Sequence, residues 1–135
     1  MKRWGIAATI VVVAVLSVAG CMGRRAPTGF RLPPGDAEAG KTAFVDLSCH
    51  TCHTVDGVEL PPPTDATVVK LSGRSILPRT DGEMTTDIIL PSSHYARGYP
   101  AHEVMADGKS RMPDYAAKMT VRQLADLVAF LQGDR

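Results

Sequence analysis

Five adjacent residues with the sequence CHTCH, at positions 49–53, contain two of the three cysteines and two of the four histidines of this 135-residue chain. Thiol sulfur and imidazole nitrogen bind zinc and iron in proteins, and paired thiols also carry redox chemistry. The motif is therefore compatible with three kinds of site: a structural zinc site, a redox-active disulfide, and a haem attached covalently through C-x-x-C-H.

The zinc and disulfide hypotheses each require a feature that this sequence does not clearly supply. A structural zinc site needs four ligands in a tetrahedron, usually a C-x-x-C pair and a second pair far along the chain. No second cysteine pair exists, so His94 and His102 would have to complete the set. A thiol–disulfide oxidoreductase places C-x-x-C at the start of a helix after a strand, whereas Cys49 follows a predicted helix. Both hypotheses are weaker than the third, but the sequence leaves them open.

The haem hypothesis fits the spacing of the motif best. Cysteines at positions i and i+3 can face the same side and form thioethers with the two vinyl groups on one haem edge. Cys49 and Cys52 are therefore predicted to hold the cofactor, and His53 is predicted to be the proximal ligand of the iron. His50, at one of the two unspecified positions of the motif, is expected to be exposed.

A proximal histidine alone leaves one iron position open for a substrate or a small ligand. Several side chains could close it: Met84, Met105, Met112, Met119, His94 and His102. Met112 is the strongest candidate, because Pro113 removes a backbone donor and biases Met112 towards an extended conformation. Its separation of 59 residues from His53 also leaves enough chain to pass around a haem. The other candidates and an open position stay as alternatives.

The elements that must position these residues are predicted to be mainly helical. A first helix should begin after Asp36, a favourable N-cap with Glu38 in the first turn, and an apolar helical face continues to Leu47. Gly40 lies within this face, where glycine costs about 1 kcal/mol relative to alanine. A second helix that crosses close to Gly40 would explain the glycine.

The last helix has the clearest pattern. Thr120 and Gln123 have the spacing of a capping box, and an apolar stripe follows until Gly133 ends the helix. A shorter helix is expected over residues 85–90, and the proline-rich residues 60–65 must form a loop. No alternating β pattern is sustained, so the predicted fold class is all-α, with three to five short helices and long loops. Such loops need a large apolar body to pack on, which a haem would supply.

The N-terminal residues resemble an export signal. Lys2 and Arg3 precede an apolar run at 6–19 that is too short to span a bilayer comfortably. The run ends in Val-Ala-Gly-Cys, which resembles the lipobox of bacterial lipoproteins, so Cys21 is predicted to be lipidated. The predicted organisation is a signal peptide at 1–20, a lipidated N-terminus and flexible tether at 21–35, and one domain at 36–135.

The net charge of the chain and its predicted export signal limit the classes of partner that we expect. Cleavage before Cys21 would leave 13 basic against 14 acidic residues, a net charge of about −1 with neutral histidines. A near-neutral chain gives no argument for binding nucleic acid. The signal predicts a protein of the bacterial cell envelope, anchored to a membrane by lipid, with its domain in the periplasm or on the outer face of the cytoplasmic membrane.

The C-x-x-C-H motif at 49–53, the sequence M-P-x-Y at 112–115 and the two terminal helices together resemble the class I mono-haem c-type cytochromes. The resemblance covers residues 36–132. It implies the cytochrome c fold, in which the helices and loops wrap around one covalent haem c and its iron. It also implies that Met112 is the distal ligand, opposite His53.

The resemblance implies further roles. The terminal helices of that family cross through a small residue and an aromatic one, and the matching positions here are Gly40, Phe44 and Phe130. A proline-containing loop supplies the carbonyl that orients the proximal histidine, and the candidates here are Pro61, Pro62 and Pro63. The haem propionates need donors, for which the candidates are Arg74, Arg97 and Tyr99.

The implied function is one-electron transfer without catalysis, by a monomer that exchanges electrons with a dehydrogenase, an oxidase or a respiratory complex. Residues 88–100 also resemble cytochrome domains that are associated with respiratory oxidases, and more weakly the cytochrome partners of periplasmic dehydrogenases. Two alternatives belong to other classes: a haem subunit permanently docked to a dehydrogenase or oxidase, and a haem enzyme or gas sensor with an open iron position.

Overall fold

A computed structural model of the chain describes residues 30–71 and 79–133. Contacts divide the chain between Arg31 and Leu32, and every element described here lies in the second unit. The predicted signal peptide, Cys21 and Arg74 lie outside the described residues. The elements, in chain order, are α1 (Ala37–Asp46), a 3-10 turn (Cys49–Thr51), β1 (His53–Val55), β2 (Val69–Leu71), α2 (Asp81–Ile89), α3 (Ala101–Val104), β3 (Met105–Ala106), β4 (Lys109–Ser110) and α4 (Val121–Gln132).

The first and last helices begin where the sequence predicts. The Asp36 carboxylate accepts a hydrogen bond of 2.9 Å from the N–H of Ala39 and caps α1. At α4, the Thr120 hydroxyl accepts from the N–H of Gln123, and the Gln123 side chain accepts from the N–H of Thr120. Gly133 ends α4 with a φ of 68°. These local signals fix both helices because each one satisfies backbone groups that a helix end leaves unpaired.

Helices α1 and α4 cross at Gly40. A Cβ atom at this position would lie 1.9 Å from the carbonyl oxygen of Asp126 and 2.7 Å from the Cβ of Phe130. Beside the crossing, the rings of Phe44 and Phe130 meet edge to face with centroids 5.5 Å apart. Phe44 and Leu127 are almost completely buried there. The close crossing explains the glycine in α1 and confirms the contact predicted through Gly40, Phe44 and Phe130.

The chain just before α1 is also bound to α4. The buried carboxylate of Asp126 accepts a hydrogen bond of 2.9 Å from the backbone N–H of Asp36. Arg122 donates to the carbonyl of Pro34 at 3.0 Å. Pro34, which belongs to the last part of the predicted tether, therefore contacts α4.

Helix α2 begins earlier than the sequence analysis predicts. The prediction is residues 85–90, whereas the helix occupies Asp81–Ile89. Its start is fixed by a capping box between Thr80 and Glu83, in which each side chain accepts from the backbone N–H of the other residue. Ile88 is buried and joins the hydrophobic core that α1 and α4 form. The predicted start is wrong because this capping box sets the first helical residue at Asp81, four residues earlier.

Two small sheets make the all-α prediction incomplete. Strands β1 and β2 pair in parallel, with His53 opposite Val69. Strands β3 and β4 form an antiparallel hairpin, and its turn residues Asp107 and Gly108 have φ angles of 52° and 73°. Positive φ at both central positions is typical of a type I′ turn, for which Asp-Gly is a favoured sequence. The described part of the chain is thus mainly helical with loops, as predicted, but it also contains four short strands.

Candidate functional site

The two cysteines of the motif lie at the start and the C-terminal cap of the 3-10 turn. The N–H of Cys52 donates to the carbonyl of Cys49 at 3.2 Å. Side chains at positions i and i+3 eclipse in this conformation, so both cysteines face one side of the turn. Ser48, just before the turn, has a φ of 60°, and this left-handed residue turns the chain sharply after α1. The local backbone thus provides the arrangement that two adjacent thioethers require.

Both cysteines are free and half-buried. Cys49 packs against the hydrophobic core, and burial raises the pKa of its thiol to about 11. This raised pKa distinguishes Cys49 from the low-pKa thiols that carry out disulfide exchange.

His53 is oriented by a backbone carbonyl. Its Nδ1 lies 3.3 Å from the carbonyl oxygen of Val69. Because a carbonyl only accepts hydrogen bonds, Nδ1 carries the proton and Nε2 is left as the ligand nitrogen. Burial lowers the pKa of His53, partly offset by the bond to Val69, and the neutral ring that results is the form that binds metals.

The source of this carbonyl differs from the prediction. Pro61, Pro62 and Pro63 were the expected candidates, and that expectation is wrong because Val69 supplies the acceptor. The reason is the parallel pairing of β1 with β2, which sets Val69 directly opposite His53. A main-chain acceptor leaves no side-chain signature in the sequence.

The loop that carries Met112 is attached on both sides of the C-x-x-C-H turn. Tyr115, which is buried, donates its hydroxyl proton to the carbonyl of Leu47 at 2.9 Å, two residues before the first cysteine. Arg111 lies 3.6 Å from the carboxylate of Asp65. These two contacts attach the loop that carries the half-buried Met112 to residues on either side of the motif.

Asp65 connects this loop to the segment between the two cysteines. Its backbone N–H donates to the carbonyl of Thr51 at 2.9 Å, and its carboxylate accepts from the N–H of Thr67 at 2.9 Å. The bond from Thr67 holds the pKa of Asp65 below its usual range, and the charge of Arg111 and a hydrogen bond with Cys52 act in the same direction. The sequence analysis missed Asp65, although the pattern Asp-x-Thr is a signal of a local side-chain turn.

The other candidates for the sixth ligand have different surroundings. Met84 and Met119 pack against the hydrophobic core, which neither Met105 nor Met112 does among the described residues. The side chain of His94 is 68% exposed and lies 3.3 Å from the carboxylate of Asp87. His102, on the short helix α3, is exposed as well. Met112 is thus the candidate whose loop is fixed to the motif by contacts on both sides.

Two candidate propionate donors fall within the described residues. The hydroxyl oxygen of Tyr99 accepts a hydrogen bond of 2.8 Å from the N–H of Lys70, next to the residue that orients His53. A hydroxyl that accepts this bond still has its own proton to donate. Arg97 is exposed. Their roles, and that of Arg74, stay predictions.

His50 differs from its expected surroundings. It is half-buried rather than exposed, and its Nδ1 is a buried atom without a hydrogen-bond partner among the described residues. His50 lies within the 3-10 turn, between the two cysteines.

The donor set fits a covalent haem. Two free thiols on one side of a turn, followed by a histidine whose Nε2 is left available to bind a metal, are the groups that thioether attachment and axial ligation require. Zinc finds less support, since no three histidine, cysteine or acidic side chains within residues 30–71 and 79–133 are placed to hold a metal ion. No strand precedes the pair in the described chain either, as a thiol oxidoreductase would need.

Comparisons with known proteins agree with this chemistry. The model of the family described as Cytochrome c matches residues 37–133, which include the C-x-x-C-H turn, the Met112 loop and both terminal helices. No curated protein and no solved structure matches the chain.

Proposed function

Since this chain belongs to the cytochrome c family, we propose that it is a class I mono-haem electron carrier whose iron is ligated by His53 and Met112. Members of the family carry haem c, bound covalently with its iron, and they transfer electrons rather than catalyse a reaction. When bound, the haem iron supplies one reversible electron between its ferric and ferrous states.

Different residues are proposed to attach the haem, to orient its histidine ligand, to set its reduction potential and to bind its propionates. Cys49 and Cys52 are proposed to attach it through thioethers. The Nδ1–H of His53 donates to the carbonyl of Val69, which fixes the orientation of the ring and increases the basicity of Nε2. The thioether of Met112 would favour the reduced state and raise the reduction potential. Tyr99, with Arg97 and Arg74, is proposed to donate to the propionates.

Two contacts of the Met112 loop support this ligation most directly. Tyr115 binds the carbonyl of Leu47, and Arg111 lies beside Asp65. Both partners flank the C-x-x-C-H turn, so the loop is attached to the same part of the fold as His53. An iron with both axial positions filled leaves no place for a substrate, which is consistent with a carrier.

Replacing Met112 by alanine tests the ligation. Sharp low-spin bands and a weak far-red sulfur-to-iron band are expected in the parent protein, and the far-red band should disappear in Met112→Ala. The reduction potential should fall by a value on the order of 100 mV, because axial ligands set the potentials of haem proteins over about 0.8 V. Optical spectra of the oxidised and reduced proteins, with a redox titration, provide the measurement.

Met105→Leu is the matched control, since Met105 is also half-buried and also does not pack against the core. It should keep the far-red band and the potential of the parent. High-spin bands in the parent would contradict His/Met ligation and favour the haem enzyme or gas sensor with an open iron position.

We also propose that residues 1–20 are removed and that Cys21 is lipidated, so that the domain works close to a membrane in the cell envelope. Bacterial cytochrome c domains are typically extracytoplasmic, and no helix in the described part of the chain is long and apolar enough to cross a membrane. A lipid anchor would raise the local concentration of the carrier near its redox partners.

The N-terminal peptide of the mature protein is expected to begin at Cys21 and to carry the added mass of the lipid, and Cys21→Ser should lose that mass. Mass spectrometry of the N-terminal peptides of both forms measures this. A parent protein whose Cys21 carries no lipid would contradict the anchor.

The partners are proposed to be a dehydrogenase, an oxidase or a respiratory complex, which a free monomer would visit in turn. The alternative is a haem subunit that stays docked to one such enzyme. Purification in mild detergent separates the two, because a docked subunit would co-purify with its enzyme in a fixed ratio, and a mobile carrier would not.

A further inference from the structure

Arg111 and Asp65 form a bridge between the loop before Met112 and the segment within the C-x-x-C turn. The guanidinium of Arg111 lies 3.6 Å from one carboxylate oxygen of Asp65 and donates to the carbonyl of Glu103 at 3.0 Å. Asp65 in turn donates its N–H to the carbonyl of Thr51, which lies between the two cysteines. The residue next to the sixth-ligand candidate is thus connected to the segment that holds the haem.

We propose that Asp65 is a positioning residue that acts through Arg111 to keep Met112 on the iron. This inference rests on the proposed His/Met ligation. If the bridge is lost, the start of the Met112 loop loses its contact with Asp65. It keeps the hydrogen bonds from the N–H of Ser110 to the hydroxyl of Ser92, from the N–H of Arg111 to the carbonyl of Val104 and from the N–H of Met112 to the hydroxyl of Ser110, none of which reaches the C-x-x-C-H motif. The loop then moves away more easily, and an external ligand replaces the thioether more often.

Asp65 suits this role because its two carboxylate oxygens have separate partners. Oδ1 accepts from the N–H of Thr67, which fixes the orientation of the side chain, and Oδ2 faces Arg111. Both charged side chains are partly exposed, Arg111 at 43% and Asp65 at 32%. Such a pair contributes a modest energy that salt screens. The ion pair between Arg111 and Asp65 is therefore suited to change how often Met112 occupies the iron, rather than to stabilise the fold as a whole.

Competition with imidazole, measured on the haem-loaded protein, tests the bridge. Asp65→Asn keeps the acceptor for Thr67 but removes the charge, and it should raise the apparent affinity for imidazole roughly two- to five-fold over the parent. Arg111→Gln should have an effect of similar size. The double variant should not exceed the larger single effect, because both substitutions break the same contact. The difference from the parent should shrink in 1 M salt, where the Debye length falls to about 3 Å.

Asp56→Asn is the matched control, since Asp56 forms an exposed ion pair of 3.0 Å with Lys70 rather than with Arg111. It should bind imidazole as the parent does. Parental affinity in Asp65→Asn would overturn the positioning role while the far-red band of the parent still supports the ligation. An effect of Arg111→Gln alone would overturn it too, because Arg111 would then act without Asp65. A parent without the far-red band would refute the ligation itself.

Discussion

Replacement of Gly40 by alanine is expected to lower the free energy of unfolding of the haem-loaded protein by about 3 kcal/mol or more. The added Cβ would lie 1.9 Å from the carbonyl oxygen of Asp126, a backbone atom that cannot rotate away, and 2.7 Å from the Cβ of Phe130. Alanine would gain about 1 kcal/mol in helix propensity over glycine. The collision outweighs this gain, because α1 and α4 must separate to admit the methyl group. Denaturant titration followed by far-ultraviolet circular dichroism measures the loss.

Gly82 provides the matched control within the same chain. It lies in the first turn of α2, and a Cβ at this position would meet nothing within 4 Å. Gly82→Ala should therefore raise the stability by roughly 0.4–1 kcal/mol, since it restricts the unfolded chain without a collision. Equal stability of Gly40→Ala and Gly82→Ala would contradict a crossing at this distance.

The helices could be predicted because their signals are local. Asp36 at one N-cap and the pair Thr120 and Gln123 at the other satisfy backbone donors within four residues, so the sequence alone predicts where α1 and α4 begin. The role of Gly40 could be predicted only on the condition that a second helix crosses close to it. The sequence marks it as unfavourable in a helix, whereas the atoms that explain it belong to a helix about 85 residues away.

The missed elements are short or depend on distant pairing. Strands β1 and β2 have three residues each, too few for an alternating pattern, and they form because His53 lies opposite Val69. The hairpin of β3 and β4 did leave a local signal in Asp107 and Gly108, which are favoured in type I′ turns. The capping pair before α2, Thr80 and Glu83, is likewise a local signal. The hairpin and the start of α2 could therefore have been predicted from turn and cap chemistry, whereas the parallel pairing of β1 with β2 has no adequate signal in the sequence.

The candidate site shows the same division. The spacing of the cysteines and of His53 is local, so the motif could be recognised in the sequence, and the 3-10 turn and the family match are compatible with the predicted attachment. The acceptor for His53 is a main-chain atom of Val69, which side-chain patterns do not reveal. Met112 could be predicted only in part from local sequence signals. Its adjacent proline made it a candidate, but the contacts that fix its loop come from residues distant in sequence.

The two proposed axial ligands of the iron lie in parts of the fold that are held by different contacts. Cys49 packs against the core formed around the α1–α4 crossing. The Met112 loop is joined to that region by single contacts from Tyr115 and Arg111. The proximal side should therefore resist perturbation, and the distal side should be where ligand exchange begins. Substitution of the proximal ligand should accordingly have the larger effect.

Replacing His53 by alanine is expected to abolish the low-spin spectrum of the protein. The ring of His53 is oriented by the carbonyl of Val69 on the paired strand, which leaves its Nε2 as the proposed ligand nitrogen. The variant should either lack haem or show a high-spin spectrum in both redox states. Added imidazole should restore low-spin bands in any haem that remains attached through Cys49 and Cys52. Optical spectra and covalent haem content, measured by mass, follow both effects.

His50→Ala is the control, because it removes the same type of side chain from another position of the C-x-x-C-H motif. It should keep the haem, the far-red band and the potential, since its Nδ1 has no hydrogen-bond partner among the described residues. The contrast between two histidines three residues apart separates ligation from damage to the motif. A low-spin His53→Ala protein without added imidazole would mean that another residue is the proximal ligand. Equal loss of haem in both variants would mean that the turn, rather than the Nε2 of His53, is what the attachment requires.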